Sequence, residues 1–218
     1  MANTSAPAGT TAAAHARILL ISGSTREGST NTAALRTARA VAPAEVTARL
    51  YDRLADLPAF NPDDDHEPLP PAAAELRREI AAADALVFCT PEYAGTLPGS
   101  FKNLLDWTVG GVEISGKPVA WINVAAEGRG EGAHEALATV LGYVGAAVIE
   151  PACRRIPLAR LAVGPDGQVA DRSFRAAVAG VLHAILGYLR EAGQGGRAAQ
   201  ADSAGLPGRS APAAGSPA

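Results

Sequence analysis

Residues 17–31, RILLISGSTREGSTN, decide how the rest of the chain is read. Ile18-Leu19-Leu20-Ile21 is a short unbroken apolar run, the pattern of a strand buried on both faces. It ends at Gly23 and passes through hydroxyl-bearing residues into 30–41, which has helical spacing. The same step recurs along the chain. Apolar runs at 46–50, 86–88, 119–124 and 146–149 are each bounded by Gly, Pro or polar residues, with helical segments at 72–83, 98–109, 133–144 and 174–191. This alternation predicts right-handed βαβ units and a parallel sheet covered by helices on both faces. Residues 155–169, ending in the turn signal Gly164-Pro165-Asp166-Gly167, read as an extended excursion before the last helix.

A chain of 218 residues, 48% of them hydrophobic, can bury one substantial core, so one domain is expected. Its expected limits are 17–192. Segments 1–16 and 193–218 are rich in Ala, Gly, Pro, Ser and Thr and carry too little large apolar surface to order themselves. A net charge of −3 argues against a phosphate backbone as partner, so no nucleic acid is expected. Cys89 and Cys153 belong to no CxxC or Cys/His cluster, which argues against a disulfide framework or a zinc site and for a reducing, cytoplasmic compartment. Residues 1–16 lack the regions of an export signal, and no apolar stretch reaches the length of a membrane span. Neither export nor a membrane partner is expected.

Three loops carry candidate chemistry. In the first, residues 23–31, a helix N-terminus offers unpaired N–H groups, Ser24, Ser29, Thr30 and Asn31 add neutral donors and Arg26 adds a fixed charge. A terminal phosphate suits that set; a plain Ser/Thr/Asn-capped helix start with a solvated arginine is the alternative. Ser29 stands where a Walker A loop has lysine, and no G-x-G-x-x-G occurs. The second loop contains Pro91, Glu92, Tyr93, Ala94 and Gly95, whose proline and glycine fix a backbone path able to line the edge of a flat heterocycle. Phe101, Leu104 and Trp107 beyond it read as core. The third, residues 125–132, includes Ala126, Glu127 and Gly128 and has glycines that allow close backbone approach. A flavodoxin-like, doubly wound five-stranded sheet of order 2-1-3-4-5 would bring all three loops to one rim, at the point where ligands bind.

The stretches GSTREGSTN at 23–31 and PEYAGTLPGSFKNLLDW at 91–107 resemble the NADPH-dependent FMN reductases of flavodoxin-like fold, over roughly residues 17–150. By that resemblance Ser24, Arg26, Ser29, Thr30 and Asn31 hold the FMN phosphate, and Pro91, Glu92, Tyr93, Ala94 and Gly95 lie beside the ribityl chain and isoalloxazine. Ala126, Glu127 and Gly128 complete the site. Many members have asparagine where this chain has Ala94, so a backbone contact must serve there, and serine where it has Ala126, a departure from the pattern of the third loop. The resemblance also implies a homodimer or homotetramer.

The activity implied is hydride transfer from NADPH or NADH through FMN to a small-molecule acceptor such as free flavin or a quinone. That requires no catalytic side chain, because the flavin supplies the chemistry. His15, His66, His134 and His183 pair with no nucleophile motif and are read as structural or solvated. An electron carrier that docks to partner proteins without using a nicotinamide is the competing reading. The mild net charge and a single aromatic, Tyr93, in the candidate loops favour the enzyme.

Overall fold

The computed structural model of the protein describes residues 15–204, with side chains through residue 194. Segments 1–14 and 205–218, expected to be unstructured, lie outside the described residues. The chain alternates β1 (Ala16–Ser22), α1 (Thr30–Ala40), β2 (Val46–Tyr51), α2 (Pro71–Ala82), β3 (Ala85–Cys89), α3 (Gly99–Asp106), β4 (Pro118–Asn123) and α4 (Glu131–Tyr143). Then come β5 (Ala147–Val148), β6 (Arg154–Arg155) and α5 (Arg172–Ala204). The strands are parallel in the order β2-β1-β3-β4-β5, as the sequence pattern predicts.

Burial explains why the strand sequences are continuously apolar. Along β1, Ile18 and Leu20 face one core, shared with Leu35 of α1 and Val178, Leu182 and Ile185 of α5. Leu19 and Ile21 face the other, with Leu76 and Ile80 of α2, Leu104 and Trp107 at α3, and Leu137 of α4. Phe101, Leu104 and Trp107 are fully buried, as expected.

Two features depart from expectation. Among the described residues the five expected positions are present in order, but a sixth short strand is added because the fifth position is broken in two. β5 pairs with the start of β4 at Pro118 and Val119; a 3₁₀ turn over Glu150–Ala152 then lifts the chain away, and β6 returns to pair with Ile122 and Asn123. Pro151 sits in that turn and has no N–H for a ladder. The excursion expected at 155–169 therefore begins as a strand. The second departure is the end of α5, which continues to Ala204 instead of stopping at 191. Residues 191–194 are all exposed, so the helix has left the core by then and its continuation rests on Ala, Arg and Gln, which favour helix.

The pairing of β1 with β3 sets the spacing of the first two loops. Ser22 is in register with Cys89, and Gly23 N–H donates to the Cys89 carbonyl at 2.9 Å. A Cβ on Gly23 would lie inside contact distance of Thr90 Oγ1, 2.6 Å from Thr90 Cβ and 2.9 Å from Phe101 Cγ. Neither neighbour can retreat, since Phe101 is fully buried and Thr90 continues β3. Gly23→Ala is therefore expected to cost about 1–3 kcal/mol, typical of overpacking. Urea denaturation checks this, and an unchanged midpoint would show that the contact relaxes.

Candidate functional site

The first loop presents a set of donors at the N-terminus of α1. Ser29 is the N-cap, in extended conformation, and its Oγ accepts from Asn31 N–H at 3.2 Å. Ser24 Oγ accepts from Arg26 N–H at 3.3 Å, and Gly28 takes the left-handed φ of +66° that closes the loop. Arg26 is exposed and enters no ion pair among the described residues. No acidic residue stands in the first turn of α1. Helix dipole, free N–H groups and guanidinium thus all favour an anion here. Asn31 turns inward, its Oδ1 accepting from the Cys89 thiol at 3.4 Å. Burial pushes that thiol's pKa up, so it stays a neutral donor.

The second loop is a tight two-residue turn. Tyr93 and Thr96 exchange backbone hydrogen bonds at 3.0 and 3.1 Å around Ala94 (φ +51°) and Gly95 (φ +76°). Left-handed φ at both central positions marks a type I′ turn, for which Asn-Gly is the favoured pair. Ala94 therefore occupies a position that disfavours a Cβ without an amide to compensate. Residues 93–96 are exposed on the rim, and nothing lies within 4 Å of the Cβ position of Gly95. Glu92 is set apart from the others. Its Oε2 accepts from Ala133 N–H at 3.2 Å, capping α4 from a neighbouring loop. A Cβ on Gly132 would come 3.0 Å from the Gly95 carbonyl carbon, so the two loops touch directly.

In the third loop Arg129 N–H donates to the Ala126 carbonyl at 3.0 Å, and Gly128 has φ +72°. Glu127 has no positive φ, which makes this a type II turn. Asn123, the last residue of β4, accepts from Ala125 N–H at 2.9 Å. Gly130 caps α4 with φ +81°, where a Cβ would meet Ala125 Cβ and Asn123 Oδ1 at 2.9 Å. Ala126, Glu127 and Gly128 are all exposed.

The structure thus gathers the expected residues into one rim, at the C-terminal ends of β1, β3 and β4. Sequence reading missed the parts that join the loops. Ser22 Oγ pairs with Thr32 Oγ1 at 2.8 Å beneath the first loop, and Asn103 and Trp107 both donate to the Pro58 carbonyl, at 2.8 and 2.9 Å, fixing the loop after β2. For the second pair the stretch FKNLLDW held the signal, two polar-capable residues four apart in sequence. His183, read as structural or solvated, is exposed on α5.

Residues 16–158 match the family model described as NADPH-dependent FMN reductase. The chain belongs to that family. It is 41% identical over 112 residues to the NAD(P)H-dependent FMN reductase of Pseudomonas aeruginosa, covering 50% of this chain and 60% of that protein. It is 36% identical over 106 residues to a quinone reductase of Escherichia coli, covering 47% of this chain and 56% of that one. The matches thus span little more than half the length of these relatives. In structure it resembles the flavoenzyme NAD(P)H:(acceptor) oxidoreductase of Paracoccus denitrificans, with a TM-score of 0.66, 26% identity, and coverage of 81% of this chain and 98% of that one. A WrbA-like flavodoxin from Agrobacterium tumefaciens, 14% identical with a TM-score of 0.53, shares the fold.

Two parts of this geometry bear on stability, the turn at Ala94 and the buried His134. Ala94→Asn, which supplies the residue the turn prefers, should raise stability by about 0.5–1 kcal/mol, read as a higher urea midpoint; a lower midpoint would mean the turn is not type I′ in solution. The second concerns His134, which is buried, donates through Nδ1 to the Gly130 carbonyl and leaves Nε2 without a partner. Burial pushes its pKa down and Arg155 adds to this, against the Gly130 carbonyl and Glu92. The unfolded chain protonates this residue near pH ~6.5 while the folded protein resists, so stability is full above that pH and falls as pH drops below it. His134→Gln should therefore lose less stability than the wild type between about pH 7.5 and 5.5. Equal losses in paired urea melts would contradict it.

Proposed function

We propose that this protein is an FMN-dependent oxidoreductase that takes reducing equivalents from NADPH or NADH and delivers them to a small acceptor, a free flavin or a quinone. The observation that carries the reading is the convergence of a helix N-terminus with no acid in its first turn, preceded by the exposed Arg26, with two exposed backbone turns at the switch point of the sheet. Family membership and the names of its relatives support the same chemistry.

The donor set fits FMN. In this reading the N–H groups of the first turn of α1, with Ser24, Ser29, Thr30 and Arg26, hold the phosphate, and Asn31 adds its amide nitrogen. The 91–95 and 126–128 backbones flank the ribityl chain and ring, with Tyr93 covering an edge. Glu92 serves by holding the second and third loops together. Bound FMN supplies the redox chemistry, accepting hydride from the nicotinamide and passing it on. The protein's part is to bind, orient and leave one face open to both substrates in turn.

One FMN-binding domain spans residues 17–192 in this proposal. A homodimer or homotetramer is supported by the exposed Val109, Val112 and Tyr143, the last 90% exposed. A cytoplasmic setting is supported by two free thiols. No helix among the described residues is long and apolar enough to cross a membrane.

The decisive experiment adds NADPH or NADH without oxygen to the FMN-loaded protein. Loss of the flavin's visible absorbance is expected, and no loss with either nucleotide would overturn the reading. A binding series then tests the phosphate assignment. A hydrogen bond to a charged group contributes about 1.5–3 kcal/mol and a neutral one about 0.5–1.5. Arg26→Ala should thus weaken FMN by roughly ten- to a hundredfold and Ser29→Ala by about tenfold or less. Riboflavin, lacking the phosphate, should bind both variants much as it binds the wild type. Unchanged FMN affinity in Arg26→Ala would remove this arginine from the phosphate site.

A further inference from the structure

The third loop is held by a residue that belongs to none of the three loops. Arg155 is the last residue of β6, the strand created when the fifth sheet position breaks around Pro151. β6 pairs with Ile122 and Asn123, the final residues of β4 before the loop begins. From there Arg155 Nη1 donates to the carbonyls of Ala126 and Arg129 at 3.0 and 2.9 Å, with Ala125 at 3.4 Å. Its Nη2 donates to Glu131 Oε1 at 2.9 Å. One planar guanidinium thus spans both ends of the type II turn and the first residue of α4.

We propose that Arg155 is the positioning residue of the third cofactor loop, an assignment that rests on the flavin reading of the site. Residues 126–129 are exposed and contain no large apolar side chain that could anchor them by packing. Without an outside donor, the Ala125 and Arg129 carbonyls have only water as a partner. The guanidinium ties the carbonyls of Ala126 and Arg129 to the edge of the sheet and so fixes the path of the turn between them. It also offsets the Glu131 carboxylate, which would otherwise add negative charge beside an electron-rich ring. A lysine cannot replace it fully, because a single ammonium cannot reach two carbonyls and a carboxylate in a fixed fork.

The experiment measures amide hydrogen exchange residue by residue in the flavin-free protein, together with FMN and riboflavin affinity, for wild type, Arg155→Met and Arg155→Lys. In Arg155→Met, exchange at Ala125 and Arg129 should rise about tenfold or more while Leu20 and Val87 in the core strands stay unchanged. FMN and riboflavin should weaken in parallel, by about tenfold, since the loop meets the ring rather than the phosphate. Arg155→Lys should fall between. Unchanged exchange at Arg129 overturns the proposal, as does faster exchange with unaltered affinity for both flavins. Exchange that rises equally in the core strands shows a general stabilising role and overturns it as well. If the wild type binds no flavin, the functional reading fails, while the loop exchange still shows whether Arg155 holds the turn.

Discussion

The site depends on one close approach, that of Gly23 to Thr90. Parallel pairing of β1 with β3 brings the two strands to the rim in register, and Gly23 N–H continues the ladder one residue beyond the strand at 2.9 Å from the Cys89 carbonyl. With no Cβ between them, the start of the first loop lies directly against the start of the second. Everything beyond is arranged from that junction. α1 begins beside β3, so Asn31 can reach Cys89 across it, and the turn at 93–96 rises on the neighbouring side.

A second close approach, between Gly132 and Gly95, adds the third loop by the same means. Glu92 reinforces it with charge, setting a carboxylate on the N-terminus of α4, where the helix dipole favours it. The rim therefore has two characters. Its first end is built from donors and positive charge and carries no acid in the helix turn behind it. Its other end is built from turns whose shape comes from left-handed residues and from groups behind them. That division suits a ligand with an anionic tail and a flat head.

Most of the fold was legible because the decisive signals are local. A run such as Ile18-Leu19-Leu20-Ile21 can be buried on both faces only in a covered parallel sheet, and the Ser29-Thr30-Asn31 step marks a helix start by its own chemistry. The positions of Ser24, Arg26 and Tyr93 on the rim followed once the strand order was known. What could not be read depends on contacts distant in sequence. The fifth position breaks in two because Pro151 interrupts it and β4 is long enough to pair twice, and neither fact shows in 146–149 alone. Glu92 looked like a ligand contact, since nothing near it in sequence names Ala133, 41 residues on, as its partner. The end of α5 was misplaced because its glycines suggested a tail, whereas the helix is carried on by the Ala, Arg and Gln among them.

A crystal structure of the protein soaked with FMN tests the central claim most directly. The account predicts the phosphate within hydrogen-bond distance of the backbone N–H groups at the start of α1 and of Ser29 and Arg26, with the ring between the 93–96 and 126–129 turns. A phosphate bound elsewhere, or a ring lying away from both turns, would contradict it.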